Sequence, residues 1–236
     1  MHELPLLSVH GLRCGYGGKP VLQGVDLDVR AGEIVAVIGR NGVGKSTLIK
    51  ALIGLLPPDE GSIRFRGAEI NAVSAHRRAR LGIGYVPQGR DVFPRMSVED
   101  NLRVGEAVGG GGVADYERTY RYFPILRERR RQVAGTMSGG QQQQLAIGRV
   151  LVGRPALMLL DEPSEGIQPS IVQDIARIGI ELNRSDGLTI VLVEQNIDMI
   201  RAMAQRCYVM DKGRIVAELT PEMLEDRDTV RRYLAV

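Results

Sequence analysis

Tryptophan is absent, phenylalanine occurs three times, and aromatic residues make up 4% of the 236-residue chain. This scarcity argues against a surface that stacks single-stranded nucleic acid on aromatic platforms. The two cysteines, Cys14 and Cys207, lie far apart with neither a metal-ligand nor a CxxC spacing. They imply no disulfide framework and read as small buried residues or free thiols. No apolar run reaches the roughly 18 to 20 residues of a membrane span. The opening MHELPLLSV lacks the basic start, long apolar stretch and small-residue cleavage site of a signal peptide, so the expectation is a cytosolic chain. Charge of one sign is equally sparse: the formal net charge is +3, and basic and acidic residues alternate except in RERRRQ, Arg127 to Gln132. Such a run reads as a solvated helix face, with contact to a membrane surface or a partner left open, and nucleic acid is not expected as a partner.

What is present is an alternation of short apolar segments with helical patterns, over a length that suits one sizeable core. LLSVHGLRCGY, VLQGVDLDV and EIVAVIG, separated by Gly-rich turns, predict antiparallel strands leading into a buried strand. A helix is expected from about Lys45 to Gly54, ended by LLPPDEG, and GSIRFRG and GIGYVPQ read as further strands. From about Ser97 to Leu151 the strand signal disappears. SVEDNLRVGEAV, VADYERTYRYFPILRERRRQ and GGQQQQLAIGRVLVGR read there as helices, with Ser97 and Asp100 in an N-terminal capping arrangement and Gly109 to Gly112 as a flexible loop. Beyond it, ALMLLDEP, a helix from Pro169 to Asn183, LTIVLVEQN, a helix from about Ile197 to Ala204, and a hairpin turning at Asp211 to Gly213 resume the alternation. Thr220 and Pro221 fit the N-cap and first position of a closing helix. The pattern predicts an α/β fold with a mainly parallel sheet, an N-terminal antiparallel β region and a helical insertion.

EIVAVIG runs directly into GRNGVGKST, that is Gly39, Arg40, Asn41, Gly42, Val43, Gly44, Lys45, Ser46 and Thr47, and then into a helix. G-x-x-x-x-G-K-[ST] in this context is a phosphate-binding loop: glycines let backbone N–H groups turn inward, and the helix N-terminus adds its positive dipole end. Lys45 would neutralise the β and γ phosphates of ATP, and Ser46 would coordinate Mg²⁺. ALMLLDEP places Asp161 and Glu162 at the carboxyl end of a core strand, the edge at which open α/β sheets bind ligands. Asp161 is expected to hold Mg²⁺, and Glu162 to act as general base or polarising group for the attacking water.

MSGGQ, Met137 to Gln141, followed by QQQLAIGRVL and LMLLDEP, resembles the signature segment and second nucleotide motif of ABC-type ATPases, with the motifs in that family's order along essentially the whole chain. The resemblance implies a RecA-like P-loop NTPase core and a single ATP-binding domain over residues 1–236, with the helical subdomain inserted at about 89–150. It places Tyr16 where the family stacks an aromatic ring on adenine, and Gln88 where a glutamine senses Mg²⁺ and the attacking water. It assigns Ser138, Gly139, Gly140 and Gln141 to the γ-phosphate of ATP held by a facing second ATP-binding subunit, identical or different. Met137 stands for the usual leucine, a volume-conserving change.

GYVPQGRDVFPRMSVEDNL, DEPSEGIQPSIV and LVEQN look most like importers of the branched-chain amino acid type, and EGIQPS like the ATP-binding subunit of urea importers. The expected function is therefore an ATPase at the cytoplasmic face of the inner membrane, coupled to permease subunits and, through them, to a periplasmic solute-binding protein. The solute would be urea, a short amide or a branched-chain amino acid. Phe93 and Met96 would line the cleft that receives the permease. The competing readings are the ATPase of a lipid or lipopolysaccharide exporter, and a soluble ABC-type protein outside transport. Two departures stand out: Gln168 replaces the aspartate that usually ends the loop after Glu162, and Gln195 stands where most relatives carry histidine. His2, His10 and His76 all precede the signature segment, so Gln195 is expected to contact the γ-phosphate as a neutral, geometric residue, with Glu162 as the base.

Overall fold

The computed structural model describes residues 4–109 and 113–233. His2 and Gly110 to Gly112, the greater part of the expected glycine loop, lie outside the described residues. Two sheets organise the rest. β1 (Leu7–Tyr16) and β2 (Lys19–Val29) form the N-terminal antiparallel pair. The register shifts between Val9 and Leu12, where Gly11 takes φ 56° and donates its N–H to Asp26 Oδ1 at 2.9 Å. After β3 (Ile34–Ile38) and α1 (Lys45–Ile53), β4 (Glu60–Phe65) and the two-residue β5 (Ala68–Glu69) complete a sheet of order β2-β1-β4-β5.

α2 (Ala75–Arg80) leads into β6 (Ile83–Val86) of the second sheet. The helical lobe follows: α3 (Val98–Val104), α4 (Tyr116–Tyr122), α5 (Pro124–Glu128) and α6 (Gly139–Val152). The chain returns through β7 (Leu157–Asp161), α7 (Pro169–Asp186), β8 (Thr189–Val193), α8 (Ile197–Met203), β9 (Arg206–Asp211), β10 (Arg214–Leu219) and α9 (Arg227–Tyr233). The six-stranded sheet runs β10-β9-β3-β8-β7-β6, parallel except at the β10 edge. β3, β7 and β8 are buried at every residue, which is why, Thr189 and the terminal Asp161 apart, they read as apolar runs: helices pack on one face of the sheet, and α1 with the four-stranded sheet packs on the other. Side chains of the helical lobe, among them Leu102, Leu126 and Leu145, share one core with Met158, Leu160 and Leu192 of the sheet.

The order β3-β8-β7 determines the site. The strand that precedes the phosphate loop and the strand that ends in Asp161 are not neighbours, and β8 lies between them. The loop leaving β8 therefore emerges between the two halves of the nucleotide motif. Buried Arg78, an inversion of the usual helix pattern, fastens the far end of α1: its guanidinium donates to the carbonyls of Ala51 (2.7 Å), Leu52 (2.8 Å) and Ile70 (2.6 Å). Of these acceptors, Ala51 O also takes the N–H of the C-cap residue Gly54 at 3.2 Å, while Leu52 O is among the carbonyls that the end of the helix leaves open.

Several expectations need correction. The stretch 113–132 does not form one helix. Pro124 lacks an N–H and disfavours helical backbone at the residue before it, so Phe123 takes φ −128° and separates α4 from α5, while its buried ring anchors the break. Arg127 to Arg131 are exposed, partly on α5 and partly on the turn after it. The capping expected at Ser97 is present, with Ser97 Oγ accepting the Asp100 N–H at 3.1 Å, while its hydroxyl donates to the Asp100 carboxylate at 2.6 Å in place of a reciprocal bond to the N-cap backbone. The complete box is at Ser138 and Gln141. Thr220 and Pro221 open a 3-10 turn, and the closing helix starts after Asp226, whose carboxylate accepts the Thr229 N–H at 2.8 Å.

Candidate active site

The phosphate loop closes over the N-terminus of α1. Gly39, Gly42 and Gly44 take φ 152°, 79° and 114°, a left-handed sequence that other residues adopt only with strain. A Cβ on Gly39 would stand 2.3 Å from Met210 O, so β9 packs against the back of the loop. Gly213, in the two-residue turn with Lys212 (φ 75° and 44°), donates its N–H to Val43 O at 2.8 Å and braces the loop from the same side.

A cavity of about 620 Å³ opens in front of it, lined by Asn41, Gly42, Gly44, Lys45, Ser46 and Thr47 on one wall and by Gln88, Glu162, Glu165 and Gln195 on the other. Lys45 is 4% exposed, and its ammonium donates to Gly39 O (2.8 Å) and Arg40 O (3.0 Å) and stands 3.9 Å from Glu162 Oε1. Burial lowers its pKa, opposed by the carboxylates of Glu162, Asp161 and Glu194. Ser46 Oγ lies 3.4 Å from Asp161 Oδ1. Asp161 is buried, and desolvation, followed by repulsion from Glu162, raises its pKa to about 6. The Tyr85 phenol is pushed up by burial and then by Asp161.

Glu162 occupies left-handed backbone, φ 47°. Such a conformation in a non-glycine residue costs about 1–3 kcal/mol and persists only where the surroundings impose it. Its N–H donates to Val193 O at 2.8 Å. Its two carboxylate oxygens each accept a glutamine amide: Gln195 Nε2 reaches Oε1 at 2.7 Å, and Gln88 Nε2 reaches Oε2 at 3.1 Å. Gln195 Nε2 is also 2.7 Å from Asn41 Oδ1, so this side chain spans from the phosphate loop to the end of β7, as its place in the loop leaving the central strand β8 allows. The triplet Glu194-Gln195-Asn196 divides its work. Glu194 is buried, Gln195 faces the cavity, and Asn196 caps α8 by accepting the Met199 N–H at 3.0 Å.

Other expected residues stand apart. Tyr16 is 48% exposed at the end of β1, with Lys50 Nζ 6.0 Å from its ring centre, and it does not line the cavity. Ser138, Gly139, Gly140 and Gln141 open α6 away from this cavity: Gly140 packs on Ile171, and the Gly139 backbone faces the Arg90 guanidinium. Gln168 is the exposed N-cap of α7 and its side chain makes no cap bond. Two residues escaped the sequence reading. Glu165 shares the Gln88 amide with Glu162, at 3.0 Å, and Arg90 donates to Glu165 O and Gly166 O at 3.2 Å. An exposed Glu in a turn and an Arg in a charged loop carried no signal of this pairing.

Mg²⁺ fits the donors present. Among the described residues no three or more His, Cys, Asp or Glu form a metal-binding group. Mg²⁺ needs no such cage, because one or two hard oxygen donors and the substrate phosphates hold it. Ser46 and Asp161 supply a hydroxyl and a carboxylate side by side, at a place where carboxylate charge is under-compensated.

Phosphate loop, strand-end carboxylates and parallel sheet define a P-loop nucleoside triphosphatase. Comparison with known proteins refines this: residues 22–165 match the family described as ABC transporter. The chain is 44% identical over 230 residues to the high-affinity branched-chain amino acid transport ATP-binding protein BraG of Pseudomonas aeruginosa, covering 96% of this chain and 97% of that protein. It is 36% identical over 234 residues to the lipopolysaccharide export system ATP-binding protein LptB of Escherichia coli K12, covering 97% and 96%. The crystal structure of the ADP conformation of MJ1267, an ATP-binding cassette of an ABC transporter, superposes with a TM-score of 0.84 at 28% identity over 97% of this chain and 98% of that one. The chain belongs to the ABC transporter family as an ATP-binding subunit, an ATPase whose hydrolysis is coupled to transport. Among the described residues no helix is long and apolar enough to cross a membrane.

Proposed function

We propose that this chain powers import of branched-chain amino acids, working at the cytoplasmic face of the cell membrane beneath permease subunits that a periplasmic binding protein supplies. The observation that carries the chemistry is the Glu162 carboxylate, held between the amides of Gln88 and Gln195 beside the buried Lys45 ammonium. The greater identity to BraG than to LptB supports import over lipopolysaccharide export.

In this reading the β and γ phosphates draw the Lys45 ammonium from Gly39 O and Arg40 O, and the α1 N-terminus supplies further donors. Ser46 and Asp161, with Gln88 close by, would hold Mg²⁺, which neutralises phosphate charge when bound. Glu162 takes the proton of the attacking water, and Gln195 turns its amide to the γ-phosphate. Tyr16 packs on the adenine. Ser138 to Gln141 serve the ATP of a second ATP-binding subunit, which completes the site, and the helical lobe at about 89–150 carries that segment to it.

Phe93, 43% exposed with the Arg149 guanidinium over its ring, and Met96 line the permease cleft. Their loop is bonded to the run before the signature segment: Ala134 donates to Met96 O at 2.9 Å and Gly135 to Pro94 O at 3.0 Å. Movement of the permease would thereby reach Met137 and Ser138. Alanine at both Phe93 and Met96 should uncouple transport from ATP hydrolysis; intact transport and assembly would remove this assignment. EGIQPS supports urea as a second solute. Deleting the coding region and measuring uptake of labelled leucine and labelled urea decides the solute: loss of leucine uptake is expected, and loss of urea uptake alone would transfer the assignment.

A further inference from the structure

Glu194 is 3% exposed at the end of β8, where an acid at a sheet edge is ordinarily solvated. A carboxylate is buried only against compensating donors, and the identity of those donors is informative. One oxygen, Oε1, accepts the N–H groups of Gln195 (2.6 Å) and Asn196 (3.0 Å). The other, Oε2, accepts the N–H of Ser164 at 3.1 Å. The two oxygens thus serve two separate segments: the loop that carries Gln195, and the loop that follows Glu162.

We propose that Glu194 is a positioning residue for hydrolysis, its carboxylate tying these two loops together and so holding Glu162 in the left-handed conformation from which it meets both glutamines. Glu162 at φ 47° precedes Pro163, a position where steric crowding already narrows the backbone. On its N-terminal side the Val193 carbonyl fixes it, and on its C-terminal side the Ser164 N–H is the next backbone donor, which Glu194 takes. With Ser164 released, Glu162 is free to relax toward ordinary backbone and carry its carboxylate away from Gln88 and Gln195. An amide has one acceptor oxygen instead of two. Glu194→Gln therefore keeps the volume but can serve only one loop.

This inference rests on Glu162 being the base, and the experiment separates the two. In the assembled transporter, kcat and KM for ATP with Mg²⁺ are measured for Glu194→Gln, Glu162→Gln and the double variant. Exchange of the 162–166 amides is followed by mass spectrometry. Glu194→Gln should lower kcat at least about tenfold with KM within about twofold, and speed exchange in that segment. The double variant should be no slower than Glu162→Gln alone, because a misplaced base and a missing base are one defect. Wild-type kcat in Glu194→Gln, or multiplicative losses in the double variant, would overturn the proposal. Loss of ATP binding together with a lowered melting temperature would assign Glu194 to folding and overturn it too. Normal turnover in Glu162→Gln would instead remove the base assignment, leaving Glu194 to stand or fall on its own kcat and the exchange data.

Discussion

Replacing Gln195 with alanine removes a single amide that makes two contacts, to Glu162 Oε1 and Asn41 Oδ1, each at 2.7 Å. The contact to the carboxylate is charge-assisted and worth about 1.5–3 kcal/mol. If the same donor turns to the γ-phosphate during hydrolysis, a comparable term is lost from the transition state. At about 1.4 kcal/mol per tenfold, kcat should fall roughly 10- to 150-fold. ATP affinity should change far less, since Lys45, Ser46 and the loop N–H groups are untouched. The assay is steady-state phosphate release by the assembled transporter, paired with equilibrium binding of a fluorescent ATP analogue. Gln195→His sharpens the test: imidazole restores a donor but titrates, so activity should acquire a further pH dependence between about 6 and 7 beyond that of the wild type. An undiminished kcat in Gln195→Ala would show that Gln195 is a polar strand end and that the span to Asn41 has no part in turnover.

Asp161 gives a stability prediction. Its folded pKa of about 6 lies above the ordinary aspartate value of 3.8. The folded protein therefore binds the proton more tightly, and without Mg²⁺ stability should decline by about 2–3 kcal/mol as pH rises from about 4 to 6; thermal unfolding across that range should show this slope in the wild type and not in Asp161→Asn. Lys45→Ala should weaken ATP binding and turnover together, whereas Glu162→Gln should retain bound ATP and slow hydrolysis by about 10²- to 10⁴-fold; binding and phosphate-release assays on the assembled complex separate the two. Arg78→Met strips donors from carbonyls of Ala51, Leu52 and Ile70, among others. A loss of about 3–5 kcal/mol is expected, a drop of roughly 6 to 20 °C in a melting curve; an unchanged melting temperature would refute the clamp.

The parallel sheet was legible because β3, β7 and β8 are covered on both faces and therefore, Thr189 apart, carry apolar residues up to their functional ends. The phosphate loop was legible because its geometry admits few residue types. α2 was not, because its buried residue is Arg78, which makes the hydrophobic pattern of AHRRAR point nowhere. The break at Phe123 and Pro124 was written in the proline, but the apolar spacing on either side outweighed it. Hidden altogether were the left-handed Glu162 and the burial of Glu194, since both depend on β8 lying between β3 and β7, a neighbour relation that no local pattern encodes. The same relation explains how Gln195 comes to face Asn41 across 154 positions of chain.

The brace of Gly213 against Val43 bears on the order in which the protein is made. The phosphate loop lies in the first fifth of the sequence, yet Met210 and Gly213, which brace it, and Glu162 and Gln195, which face it together with Gln88, come with that one exception from the last third. A growing chain on the ribosome can expose the loop long before anything can hold its shape. The shape of the site is thus completed only when synthesis is nearly over.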